Sequence, residues 1–501
     1  MTLLEPERSS TSLDASDETH LLPRCESVEI IEDEGRFRMA DFLRFVGPGF
    51  MIGVGYLDPG NWATDLAAGS QFGYTLLYII LLANVMAIVL QYLCIKLGVV
   101  TGNDLAMACR KHFSYRANIA LYILTQLAII ATDIAEVIGT AIALNLIFNL
   151  PLPYGVALTS LDVLFILAFY GAEHLRKYEF IVIALLGIVS ACFIYLLVVS
   201  GPVWEDVVLG YLPSIGIFTD SNQLYIAMGI MGATIMPHNL YLHFSIVRFR
   251  SHKDSGSLGE IVELPEQQAD LNVENVQPKS RIQMIPDSLR YSNMDSIMAL
   301  CGALLINSSI LIVAAASFYL SGETEVAEIK DAFLLLRKHL GPPAAYAFAI
   351  ALFCAGQSST ITGTLAGQIV TEGFLGPSIQ FRPALQRLFT RILAIAPALA
   401  SSLLTGENGM NQLLVLSQVV LSLQLPFAIW PLIWITCGGG DGEAMKVKFR
   451  DTGTVEDGTG EVVEDETVID FRNGVVLKVF AVVIAVFITI FNVILLWGLL
   501  F

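Results

Sequence analysis

The chain has 501 residues, 55% of them hydrophobic and only 15% charged, with a mean hydropathy of +0.66. That composition excludes an ordinary soluble globular protein and makes a lipid bilayer the expected solvent. The net charge of −18 does not point to a basic partner: most acids fall in polar stretches where water solvates them, and no basic patch interleaved with aromatics argues for nucleic acid.

Residues 1–42 are rich in Ser and acidic residues and hold no apolar run, so they read as a disordered cytoplasmic tail and not as a cleaved leader. Within the tail, Asp17-Glu18-Thr19-His20-Leu21-Leu22 has the acid-then-dileucine form that sorting adaptors read. Such adaptors are expected partners, and they favour an endosomal or vacuolar membrane, with the plasma membrane as the alternative.

A spanning helix needs roughly 20 apolar residues. Eleven candidate segments follow, near 45–70, 74–101, 118–147, 154–171, 179–200, 223–247, 295–319, 344–374, 388–405, 411–436 and 475–500. They divide the chain into a first half of five spans over 43–200 and a second over 201–436, the latter interrupted by a cytoplasmic loop at 248–293. A polar cytoplasmic loop at 437–474 then leads to an eleventh span at 475–501. With the amino terminus in the cytoplasm, nearly all of the 28 lysines and arginines lie on the cytoplasmic side. The exceptions, Lys330, Arg337 and Lys338, share one outer segment with an amphipathic pattern. The seven cysteines fall in spans or inner segments and show no metal-knuckle spacing, so neither a disulfide framework nor a structural zinc is expected.

Two of the spans carry the same defect. The first contains Gly53-Val54-Gly55-Tyr56-Leu57-Asp58-Pro59-Gly60-Asn61, and the sixth contains Gly232-Ala233-Thr234-Ile235-Met236-Pro237-His238-Asn239. A proline beside polar groups in the middle of an apolar run breaks helical hydrogen bonding, and backbone that leaves the helix must line a cavity or be buried in protein. Two breaks at corresponding places in two five-span halves point to inverted repeats, with a binding site between the half-helix ends.

The groups at the breaks favour a cation. Asp58 offers an anionic oxygen, Asn61 an amide oxygen, Ala233 a carbonyl freed by the break, and Met236 a thioether. Hard cations prefer oxygen alone, whereas a thioether suits later, more polarisable metals, so iron(II) and manganese(II) are the expected cargoes and calcium is disfavoured. Ionisable groups inside a membrane are costly, by ~2.5–3.5 kcal/mol on insertion scales, and are functional candidates by default. Asp133 and Glu136 lie three residues apart on the third span, hence on one face, and could relay protons. His238 and His243 follow the sixth-span break; each could pass a proton or hydrogen-bond a neighbouring helix. Asp162 on the fourth span stays open between a structural pairing and a role in transport.

These residues resemble the Nramp family of divalent-metal transporters. Asp58-Pro59-Gly60-Asn61 is similar to the family's first-span motif, Met236-Pro237-His238-Asn239 to its sixth-span motif, and the run from Gly356 to Gln368 to its eighth-span signature; that run could serve helix packing or pathway lining. The resemblance covers about residues 43–436 and implies an all-α integral membrane protein of about eleven helices. The implied fold is a LeuT-like 5+5 inverted repeat with broken helices 1 and 6 and one extra C-terminal helix. It also implies proton-coupled import of manganese or iron into the cytosol, with no cofactor beyond the cargo ions. Its metal contacts would be Asp58, Asn61, the Ala233 carbonyl and Met236, with Gln418 joining in some states. By the same resemblance Asp133, Glu136 and His238 match the family's proton pathway, and Asp58 and His243 are further candidates for it.

Three other readings stand beside this one: a LeuT-fold carrier of another solute, a magnesium-type relative, and a non-transporting metal-sensing receptor on the same scaffold. An enzyme is the weakest reading, because no Gly-Lys-Ser/Thr phosphate loop, His-Glu-x-x-His helix or Ser-centred elbow occurs.

Overall fold

The computed structural model describes residues 47–159, 175–243, 245, 278–319, 329–376, 383–404, 406–439, 443–451 and 465–500. The tail with its Asp17–Leu22 string, Asp162 and most of the 248–293 loop lie outside the described residues.

Helices occupy the described part of each of the eleven expected spans. The first span is two helices, α1 (Pro48–Gly55) and α2 (Pro59–Phe72), followed by α3 (Leu77–Thr101), a short α4 (Leu105–His112), α5 (Tyr115–Phe148) and α6 (152–159). Next come α7 (Leu175–Ser200), the short α8 (Trp204–Gly210) and α9 (Gly216–Thr219), and a second divided span, α10 (Ser221–Ile235) with α11 (237–243). The second half continues through α12 (Pro278–Ala314), α13 (Ile329–His339), α14 (Pro342–Leu375), α15 (Pro383–Leu404) and α16 (Gly406–Thr436). Strands β1 (Lys446–Asp451) and β2 (Asp465–Asp470) pair with each other, and α17 (Val475–Leu500) follows. Among the described residues, seven stretches are long and apolar enough to cross a membrane unaided; the other segments are interrupted, shorter or incompletely described.

Capping follows the local sequence. Asp104 and Ser114, extended at the starts of α4 and α5, accept the N–H groups of Met107 at 2.8 Å and Ala117 at 3.4 Å. The segment with Lys330, Arg337 and Lys338 is amphipathic as expected. In α13 it buries Ile329, Ala332, Phe333 and Leu336 at helical spacing, with Arg337, Lys338 and His339 in the last turn, where cations suit the helix dipole.

Two boundaries differ from expectation. Residues 278–293 of the expected 248–293 loop are already α12, because a helix that runs beyond the apolar layer needs no apolar periodicity to mark it. The 437–474 segment is not all loop: Lys446-Val447-Lys448-Phe449-Arg450 alternates charged and apolar residues with the period of two that suits a strand.

Helix α12 packs along α1, α2 and α3, while α14 packs along α5 and α7, and α16 along α10 and α5. One contact fixes where α1 begins. The Asp295 carboxylate of α12 accepts Gly49 N–H at 2.6 Å and Gly47 N–H at 3.3 Å, so a residue 246 positions away caps the first half-helix. Asp295→Ala is expected to destabilise the protein by about 1–2 kcal/mol, with Asp295→Asn losing less. Thermal unfolding of the detergent-solubilised chain checks this, and an unchanged midpoint for the alanine variant would show that the cap contributes nothing.

Candidate functional site

In the first span, α1 stops at Gly55 because Pro59 has no N–H to return to the Gly55 carbonyl. The N–H groups of Tyr56 and Leu57 turn back to Gly53 O and Val54 O at 3.2 and 3.0 Å, which tightens the last turn. Asp58 is extended (φ −63°, ψ 161°) and caps α2, its Oδ1 accepting Asn61 N–H at 2.9 Å. The Tyr56 carbonyl accepts two side-chain amides, Asn61 Nδ2 at 2.6 Å and Asn307 Nδ2 at 2.9 Å. Both asparagines spend their donors on one backbone oxygen and keep their own carbonyl oxygens unused. Asn61 Oδ1, Asn307 Oδ1 and Asp58 Oδ2 are all buried without a hydrogen-bond partner.

The second divided span has the same logic. Pro237 stands where the donor to Ala233 O would be, and Met236 between the two half-helices takes φ 43°, ψ 105°. A positive φ on a residue with a long side chain is strained and is held only where the surroundings over-determine it. Those surroundings include Met236 N–H to Gly232 O at 3.2 Å and Asn239 N–H to Met236 O at 3.1 Å. Asn239 Nδ2 also reaches Met236 Sδ at 3.6 Å. Thr234 Oγ1 and Asn239 Oδ1 are buried and unpartnered.

Absent side chains bring the two breaks together. A Cβ on Gly55 would lie 2.7 Å from Asn239 Nδ2, and one on Gly60 would lie 1.9 Å from Gln418 Nε2. A Cβ on Gly232 would lie 2.1 Å from Gln418 O, so Gln418 of α16 sits against both divided spans. Its Nε2 donates to Ser417 Oγ at 3.1 Å, and its Oε1 is buried without a partner. Asp58, Asn61, Ala233, Met236 and Gln418 thus lie on the two breaks and on a helix that touches both, and all are fully buried. Among the described residues no group of three His, Cys, Asp or Glu side chains is placed to hold a metal. A cation at the breaks would meet one carboxylate, amide and backbone oxygens, and a thioether.

Asp133 and Glu136 share one face of α5 and meet a residue that spacing alone did not single out. Arg391 of α15 places Nη1 3.4 Å from Glu136 Oε2 and 3.8 Å from Asp133 Oδ1, and its Nη2 donates to Thr159 O at 3.4 Å. Ser359 Oγ of α14 donates to Glu136 Oε1 at 3.0 Å. Two carboxylates facing one guanidinium leave one negative charge that a single proton would balance.

The family profile described as "Natural resistance-associated macrophage protein-like" matches residues 49–439, which is most of the chain. The chain belongs to the Nramp family. A "Divalent metal cation transporter MntH" from Nostoc sp. is 51% identical over 397 residues, covering 79% of this chain and 83% of the relative. An MntH from Listeria welshimeri is 45% identical over 472 residues, covering 94% and 93%. Among solved structures, a manganese transporter from Eremococcus coleocola bound to an aromatic bis-isothiourea compound superposes with a TM-score of 0.71 at 33% identity, over 91% of this chain and 86% of that one. The fold is therefore the LeuT-like helical membrane fold of this family.

In this Nramp chain the two histidines have different surroundings. His238 Nδ1 lies 3.5 Å from Thr132 Oγ1 of α5, the residue next to Asp133. His243 Nδ1 lies 2.8 Å from Gln91 Oε1; because an amide oxygen only accepts, that ring nitrogen carries the hydrogen. Gln91 Nε2 in turn donates to the Tyr56 hydroxyl at 2.9 Å, which links His243 to the first break. Small residues of the eighth-span run let α5 dock closely, since a Cβ on Gly363 would lie 2.9 Å from Glu136 Oε1 and one on Gly356 would lie 2.5 Å from Thr140 Oγ1, while Ser359 of the same run donates to Glu136.

Sequence reasoning missed Arg391, Asn307, Gln91 and Asp295. Arg391 carried a usable signal, since the arginine of Phe389-Thr390-Arg391-Ile392-Leu393 sits inside an apolar helical run, where a charge calls for a partner. Asn307 and Gln91 carried none, because single amides are common in helices.

Proposed function

We propose that the protein is a proton-coupled symporter that moves divalent transition-metal ions, manganese(II) and iron(II), into the cytosol. The observation that carries this reading is the pair of helix breaks, with unused buried acceptors at Asp58 Oδ2 and Asn61 Oδ1 on the first, Met236 on the second, and the unused Gln418 Oε1 on a helix packed against both. Divalent metal transport by the MntH relatives, which share about half their residues with this chain, supports the cargo class. A single carboxylate leaves a bound dication under-neutralised, so the ion is held weakly and can be released, as a carrier requires.

Protons would use Asp58, the Asp133–Glu136–Arg391 cluster and the two histidines. His238 meets Thr132, the neighbour of Asp133, and His243 reaches the break through Gln91 and Tyr56. The amino terminus is read as cytoplasmic from the lysine and arginine bias. The Asp17–Leu22 string supports an endosomal or vacuolar membrane, with the plasma membrane as the alternative.

Manganese uptake into proteoliposomes tests the reading. Wild-type uptake should saturate and rise with an inward proton gradient, and Asp58→Ala should fall to background; wild-type rates in that variant would remove the break from the pathway. Met236→Ala should admit calcium or magnesium with little loss of manganese uptake, because the soft ligand is what disfavours hard cations. Unchanged exclusion of calcium would show that selectivity resides elsewhere.

A further inference from the structure

Helix α2 carries a second carboxylate that the reading above does not use. Asp65 lies seven residues past Asp58, two helical turns or about 10 Å along the axis at 1.5 Å per residue. It is 1% exposed, and neither carboxylate oxygen has a hydrogen-bond partner.

Register shows what it faces. Asn61, Asp65 and Gly69 are spaced by four and form one stripe of α2. Asn61 shares the Tyr56 carbonyl with Asn307 of α12, and a Cβ on Gly69 would lie 2.4 Å from Leu311 O, so the stripe runs along α12 from Asn307 to Leu311. Asp65 falls between those contacts, along the stretch of α12 from Asn307 to Leu311 that includes Ser308. Both Asn307 Oδ1 and Ser308 Oγ are buried and unpartnered. A helical serine ordinarily returns its hydroxyl to the preceding turn, and Ser308 does not.

A buried carboxylate without donors calls for a proton or a cation. A proton would satisfy one acceptor, whereas this stripe gathers several oxygens with unused lone pairs, which is the donor set of a hard cation. We propose that Asp65, with Asn307 Oδ1 and Ser308 Oγ, forms a second, oxygen-only site for the divalent cargo, two turns along α2 from the break. The inference rests on the reading of the protein as a metal carrier. Two dications this close repel in low dielectric, so the sites are filled in turn and Asp65 acts as a staging position. Without a thioether it does not discriminate against magnesium or calcium.

Manganese binding to the full-length chain in nanodiscs, measured calorimetrically, tests this. Asp58→Ala should retain one weak manganese site, displaced by magnesium or calcium at comparable concentrations. Adding Asp65→Asn, which keeps the side-chain shape, should abolish that residual binding, and adding Ser308→Ala should weaken it. An Asp58→Ala chain that binds no manganese, or residual binding indifferent to both added changes, overturns the proposal while leaving the break as the transport site. Undiminished uptake by Asp58→Ala would instead overturn the reading of the break.

Discussion

Arg391→Ala is expected to destabilise the protein by roughly 3–5 kcal/mol, because it strips the cation from two buried carboxylates. Arg391 and Glu136 side chains are 4% and 0% exposed, so water cannot replace the lost partner. Ser359 still donates to Glu136 Oε1, but one neutral hydroxyl does not neutralise a charge. Adding Glu136→Gln should recover much of the loss, since it removes one of the stranded charges. Arg391→Lys should fall between, because an ammonium cannot span Glu136, Asp133 and the Thr159 carbonyl with one planar fork. Thermal unfolding of the full chain in detergent reads all three variants. A wild-type midpoint for Arg391→Ala would show that the guanidinium does not stabilise the two carboxylates.

The visibility of each part in the sequence followed the range of the forces that make it. The two breaks were legible because Pro59 and Pro237 remove a backbone donor locally, whatever packs around them. The pairing of Asp133 with Glu136 was legible from helical spacing alone. Arg391 was legible only as a charge that calls for a partner, and not as the partner of Glu136, because that residue of α5 lies 255 positions away. Asp295 was hidden for the same reason: an acid at a helix start is ordinary, and only the fold reveals that it caps a different helix. The β1–β2 pair was overlooked because charge dominates that stretch and masks its period-two alternation. The position of Gln418 depends on how closely backbones approach, which Gly60 and Gly232 permit but do not announce.

That dependence on close approach yields the other large effect, a contrast between two glycines. A Cβ on Gly232 of α10 would lie 2.1 Å from Gln418 O and 2.6 Å from Ser422 N, both backbone atoms of α16 that cannot rotate away. Gly232→Ala must therefore push α10 and α16 apart, at a cost of about 1–3 kcal/mol or more for overpacking. The displacement carries Gln418 away from both breaks, so manganese uptake should be lost even in the fraction that stays folded. Gly302, inside α12, has nothing within 4 Å of its Cβ position. Gly302→Ala should leave uptake unchanged and leave stability equal or raised by up to about 1 kcal/mol from helix propensity. Equal behaviour of the two variants in thermal unfolding and proteoliposome uptake would show that the α10–α16 contact is soft and that Gln418 does not depend on it. Loss of uptake confined to Gly232→Ala, with Gly302→Ala intact, would tie the sixth-span break to α16 through that backbone contact.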